Sequence, residues 1–109
     1  MKGGRHRLAE ERSLALHRLV AARLQEDPGL LEAARERVRG WLRDRSVGEG
    51  WAREWLEVLD RPLEEVVTLL TDPSERFRRL RQTSPFAGVL DPRTRWETWR
   101  EVGERFEAS

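Results

Sequence analysis

Acid–base or nucleophilic chemistry in this sequence would have to come from His6, His17, the serines and the carboxylates, because the 109 residues include no cysteine and no tyrosine. Catalysis needs groups with matched roles held close together, and the serines lie away from both histidines in sequence. His17 falls beside an apolar helical stripe, where a histidine reads as a boundary residue rather than a base. His6 belongs to a basic lead-in. Two histidines are too few for a His-rich metal site, and the carboxylates show no calcium-loop or di-metal spacing. No glycine-rich phosphate loop follows a strand, because no strand is expected. Glu64 and Glu65 are accounted for by the first turn of a helix. The expectation is a non-enzyme with no catalytic residues, no metal and no cofactor.

The chemistry that remains is recognition, and it concentrates in residues 81–92, Arg-Gln-Thr-Ser-Pro-Phe-Ala-Gly-Val-Leu-Asp-Pro. Here apolar side chains lack helical spacing and sit between two prolines. Pro85 biases Ser84 away from helix, and Gly88 permits backbone angles that other residues resist. Phe86, Val89 and Leu90 therefore belong to a connector, either tucked onto its own helices or docked on something else.

The elements around this connector read as helices. Leu16, Leu19, Val20 and Leu24 make one stripe in a helix from about Glu10 to Glu26, after a flexible lead-in over residues 1–9. Leu30, Leu31, Ala34, Val38, Trp41 and Leu42 make a second, from about Pro28 to Arg45. Gly48 and Gly50 mark a break before Trp51, Trp55, Val58 and Leu59. Leu63, Val66, Val67 and Leu70 form a short fourth helix, and Phe77 and Leu80 face inward from a fifth. Trp96, Trp99, Val102 and Phe106 belong to a last helix opened by Pro92. Asp27-Pro28, Asp60-Arg61-Pro62, Asp72-Pro73 and Asp91-Pro92 punctuate them as caps and first-turn prolines. No run alternates with period 2 for long enough to be a strand. The sequence thus predicts an all-α, single-domain bundle of about five to six short helices, with the helical domain over 10–107.

Charged residues make up 38% of the chain, yet the net charge is only +1, giving no overall pull toward nucleic acid or anionic membrane. No signal peptide or membrane-spanning run is apparent, so the expected location is cytoplasmic and membrane is not an expected partner. The balance is uneven: +4 over residues 1–25, −6 over 26–75, +5 over 76–100 and −2 beyond. Two readings follow. Head and tail pair with the acidic middle inside one bundle, or Arg78, Arg79, Arg81, Arg93 and Arg95 form a basic docking face. Arginine supplies nearly all the basic groups and Lys2 is the one lysine, a skew that fits a GC-rich genome.

Two classes of partner fit this pattern. A helix-turn-helix regulator would place its turn at 25–29 or 71–74, with Arg76, Arg79, Gln82 and Thr83 on the recognition helix against operator DNA. A protein-binding module would use some of the five tryptophans, which exceed what so small a core needs. Trp41, Trp51 and Trp55 fit core stripes. Trp96 and Trp99 follow the connector, so one of them is a candidate for sharing with a partner.

Arg12-Ser13-Leu14-Ala15-Leu16-His17, Asp27-Pro28, the block from Arg81 to Leu90, and Arg95-Trp96 resemble a group of small helical proteins of GC-rich bacteria. These are encoded beside nucleotidyltransferase-like toxins. The resemblance covers about residues 12–100, and Ser-Pro-Phe-Ala-Gly-Val-Leu is its distinctive part; Thr83 stands where serine is expected. It implies an antitoxin, a non-enzymatic protein that binds its cognate toxin and blocks it. The toxin-binding residues would then be Arg79, Arg81, Ser84, Pro85, Phe86, Val89, Leu90, Arg95 and Trp96. Phe86 and Leu90 would be central anchors, with Arg79, Arg81 and Arg95 at the rim. The alternative is the small DNA-binding regulator.

Overall fold

Six helices account for most of the chain: α1 (Lys2–Glu26), α2 (Gly29–Asp44), α3 (Glu49–Leu59), α4 (Leu63–Leu70), α5 (Glu75–Gln82) and α6 (Pro92–Ala108). The computed structural model describes residues 2–86 and 88–108, and no strand occurs among them. Ala87, inside the Ser-Pro-Phe block, lies outside the described residues. The all-α bundle expected from periodicity is the observed fold.

Helix α1 is the hub, packed against α2, α4, α5 and α6, while α2 pairs with α3, and α4 touches both α3 and α5. Its buried stripe is Val20, Ala21 and Leu24, with Leu16 and Leu19 half-buried beside it. Helix α1 starts at Lys2 rather than near Glu10, so it takes in the stretch read from the sequence as a lead-in. Gly3 and Gly4 carry low helix propensity, which is why the pattern pointed to a later start. Leu8, half-buried on the same helix face as Arg12, gives this extension a packing partner.

Trp55 of α3 has no exposed surface and belongs to one core cluster with Leu24, Val38, Val58, Leu59, Val66, Leu70 and Leu80, all equally covered. A buried indole N–H needs an acceptor. Trp55 Nε1–H donates to the Leu80 carbonyl at 3.2 Å and the Thr83 carbonyl at 2.6 Å, satisfying the C-terminal end of α5. Arg81 does the same for α4. Its buried guanidinium donates to the carbonyls of Leu70 (3.2 Å) and Asp72 (2.7 Å). Arg35 closes α3 by donating from Nε and Nη2 to the Leu59 carbonyl.

The four Asp–Pro junctions behave differently from one another. Asp91 caps α6, its carboxylate accepting the Thr94 N–H (2.9 Å) and the Thr94 hydroxyl (2.7 Å), with Pro92 as the first helical residue. At α5 the cap is Ser74, which accepts from the Phe77 N–H, while Asp72 accepts from the Ser74 N–H one step earlier. Asp27 and Asp60 do not cap the helices that follow them, although Asp60 is the C-cap of α3. Pro28 and Pro62 occupy the N-cap positions of α2 and α4, with no side-chain bond to the helix. A proline there has no side-chain acceptor, and its fixed φ still admits the chain into the first turn.

Candidate functional site

Residues 83–91 form the connector between α5 and α6, and they are packed inward. Pro85, Phe86 and Leu90 are buried, Ser84 and Val89 are half-buried, and Gly88 and Asp91 are exposed, Gly88 at a φ of +90°. That backbone angle turns the chain so that Phe86 and Leu90 both reach the core, and it is open to glycine without penalty. The Phe86 ring meets Trp55 edge-on at 6.0 Å and His17 edge-on at 6.5 Å. Burying one such side chain stabilises the fold by about 1.5–3 kcal/mol.

His17 is the second clasp on this connector. Its Nδ1 lies 2.7 Å from the Ser13 carbonyl, which only accepts, so the Nδ1–H donates there. Nε2 is then an acceptor, and the Ser84 hydroxyl donates to it at 2.9 Å. The Phe86 N–H in turn donates to Ser84 Oγ at 3.2 Å. Burial pushes the His17 pKa down from 6.5 to about 4, the bond to Ser13 opposes this, and the Arg81 charge lowers it further. At neutral pH the ring is neutral.

Ser84 and His17 therefore have the spatial order of a nucleophile and its base, which their separation in sequence did not suggest. The electrostatics oppose that use. A general base must become an imidazolium, and here the pKa of about 4 makes that form roughly 3 kcal/mol harder to reach than in water. The group orienting Nδ1 is a neutral carbonyl rather than a carboxylate. What the pair does well is hold the connector against α1.

Above this clasp lies an open cleft of about 690 Å³ between α1, the connector and the first turns of α6. Leu8, Leu16, Val20, Phe86 and Leu90 give it apolar walls, and Ser13, His17 and Ser84 a polar floor. Arg12, Arg81 and Arg95 also line it, with no aspartate or glutamate among the lining residues. Arg12 is held on α6. Its Nε–H donates to the Trp99 carbonyl at 2.9 Å, and the guanidinium lies 3.4 Å from the centre of the Trp99 ring. Gly103 leaves room for it, since a Cβ there would collide with Arg12 Nη2.

The residues expected to meet a partner divide accordingly. Phe86 and Leu90, expected as exposed anchors, are core residues instead, as is Pro85. Arg81, expected at the rim, is buried because it is needed on two helix-end carbonyls. Ser84 is engaged by His17, and Val89 packs against the core. Arg79, Arg95 and Trp96 remain at the surface, and Arg79 is paired with Glu75 at 2.9 Å. The wider basic face is matched in the same way, through Arg78–Glu10 and Arg93–Glu97. Arg76, on the candidate recognition helix, pairs with Glu54 at 2.9 Å. Arg81 and Arg95 form no ion pair among the described residues, but Arg81 is buried on backbone carbonyls, whereas Arg95 is exposed.

The tryptophans also sort unevenly. Trp55 is core and Trp41 half-buried, but Trp51, expected inside, is 38% exposed because it sits in the first turn of α3, at the edge of the bundle. Trp96 and Trp99 are 60% and 49% exposed. Sequence reasoning missed Arg12 and the His17–Ser84 bond. The signal for His17 was present in its i, i+4 relation to Ser13 and its place next to Leu16; nothing in the spacing pointed to Ser84.

No protein-family model matches this sequence, and comparison with curated proteins and with solved structures finds no match. No helix among the described residues is long and apolar enough to cross a membrane.

Proposed function

We propose that this chain is an antitoxin that acts in the cytoplasm by binding and neutralising a nucleotidyltransferase-like toxin. The reading rests on the sequence resemblance, and one structural observation carries it further. Trp96 and Trp99 stand exposed on the opening turns of α6 beside Arg95, which has no acidic partner among the described residues. Tryptophan and arginine dominate the energetic centres of protein interfaces, and a large exposed indole is costly without a use. The interface is therefore assigned to Arg95, Trp96 and Trp99, with Arg79 as an outlying cation. Pro85, Phe86 and Leu90 act from beneath, fixing where α6 begins. Arg76, Arg78 and Arg79 of α5 are matched by Glu54, Glu10 and Glu75, which favours protein over operator DNA as the partner.

The test is co-expression with a neighbouring nucleotidyltransferase-like gene, followed by native mass spectrometry and a growth assay. A stable complex and rescue of growth are expected, with Trp96→Ala and Arg95→Ala together weakening both. A lone chain without rescue, or binding to operator DNA with a steep salt dependence, would overturn the reading.

A further inference from the structure

The cleft between α1 and α6 has a chemistry that a protein-docking role for Trp96 does not use. In a chain with 20 acidic residues, none lines it, while three arginines do. Its three positive groups are not equivalent. Arg81 is committed to the Leu70 and Asp72 carbonyls, and Arg12 uses its Nε–H on Trp99. The terminal nitrogens of Arg12 and the whole Arg95 guanidinium make no ion pair or hydrogen bond among the described residues. Two guanidinium groups without carboxylates thus stand on one cavity.

The walls are of the opposite character. Leu8, Leu16, Val20, Phe86 and Leu90 supply apolar lining, although Leu8 and Leu16 are only half-covered by the protein itself. At about 690 Å³ the cleft lies within the range of small-molecule sites, about 300–1,000 Å³. His17 is held neutral, so the floor adds no competing charge. Glu10 acts on Arg81 from the small pocket alongside, but an apolar trough with Arg12 and Arg95 at its edge and no acid on its own lining is complementary to an amphiphile with an anionic head.

We propose that this cleft is a binding site for an amphiphilic monocarboxylate. Its head is taken by Arg95 and the free edge of Arg12, whose planar donor forks match a carboxylate. Its apolar body lies along Leu16, Val20 and Phe86. The site shares Arg95 and Trp99 with the proposed toxin-binding surface, but its test on the isolated chain stands or falls without that reading.

The probe is decanoate, titrated below its micellar range by calorimetry, with tryptophan emission followed in parallel because Trp99 borders the cleft. Saturable one-to-one binding below about 1 mM is expected. Decanol, with the same body and no charge, should bind at least about tenfold more weakly, and so should acetate, which lacks the body. Arg95→Ala should reproduce the loss for decanoate while leaving decanol binding unchanged, and Arg95→Lys should restore part of it. Arg95 is exposed and makes no ion pair among the described residues, so both variants should melt with the parent. Equal affinity for decanoate and decanol, an unaltered Arg95→Ala, or no saturable decanoate binding below about 1 mM would each overturn the proposal.

Discussion

Acidification from pH 7 to pH 5 should weaken this fold through one residue, His17. In the folded chain its pKa is lowered to about 4, against 6.5 for an unconstrained imidazole. The unfolded state therefore binds the proton more readily, so stability falls as pH drops below 6.5 and levels off below about 4. Integrating between these values gives a loss of about 2 kcal/mol by pH 5 and about 3 kcal/mol by pH 4. Structurally, an imidazolium would leave Nε2 with a proton facing the Ser84 hydroxyl, beside Arg81. The assay is urea unfolding at several pH values, read by emission from buried Trp55, on the parent and on His17→Gln. Glutamine does not titrate, so the variant carries a fixed penalty and a flat profile between pH 5 and 7. Asp44, Asp72, Asp91 and Glu32 are also held below their ordinary values in the fold, by Ser46, Ser74, Thr94 and Arg35 respectively. Their contributions are lost in the same direction, but only below about pH 4.5, outside the window used. Parallel profiles for parent and variant between pH 5 and 7 would refute the assignment.

Other consequences are reached by single substitutions. Gly88→Ala should cost about 1–2 kcal/mol in urea or thermal unfolding, since its φ of +90° disfavours any Cβ, although space is available there. Arg81→Met should cost about 2–3 kcal/mol, because the carbonyls of Leu70 and Asp72 lose a buried charged donor; a change below about 0.5 kcal/mol would mean water replaces it. Trp55→Phe should cost roughly 2–4 kcal/mol in the same assay by deleting the N–H that Leu80 and Thr83 share and opening a core void. Gly103→Ala should be close to neutral in thermal melts. Its gain in helix propensity, about 1 kcal/mol, is offset by expelling Arg12 from the Trp99 face, which a shift in tryptophan emission should report.

Helix periodicity carried the fold well because each element has one apolar stripe and an unambiguous stop. The stripes of α1 to α4 matched the buried faces apart from Trp51 at the start of α3, and Trp55, Val58 and Leu59 were read correctly as core. The caps were less legible: Asp91 and Asp27 precede proline alike, yet only Asp91 has a threonine three residues on whose N–H and hydroxyl it can hold. The connector was the hardest case. Its apolar residues were noticed, and packing onto its own helices was one of two readings, but the resemblance drew Phe86 and Leu90 toward the surface. Sequence gives no measure of whether a loop residue finds a vacant place in a core. Here Trp55 and His17 border one, and Phe86 fills it. Substituting Phe86 and Leu90 together would thus test the core before it tested any interface. The cleft was not legible at all, since Arg12 and Arg95 are distant in sequence and meet only through α1 and α6.

The packing of α1 against α6 has a bearing on how the chain is made. Eighty-two residues separate Glu26, where α1 ends, from Ala108, where α6 ends. At about 5–20 residues per second, a ribosome takes roughly 4–16 s to supply that interval. Throughout it, Arg12 lacks the Trp99 ring and α1 lacks the helix that covers one of its flanks. A nascent chain halted before α6 is therefore left with an open flank on its central helix. The last helix acts as the seal, and chains that lack it should be the ones that proteases and chaperones recognise first.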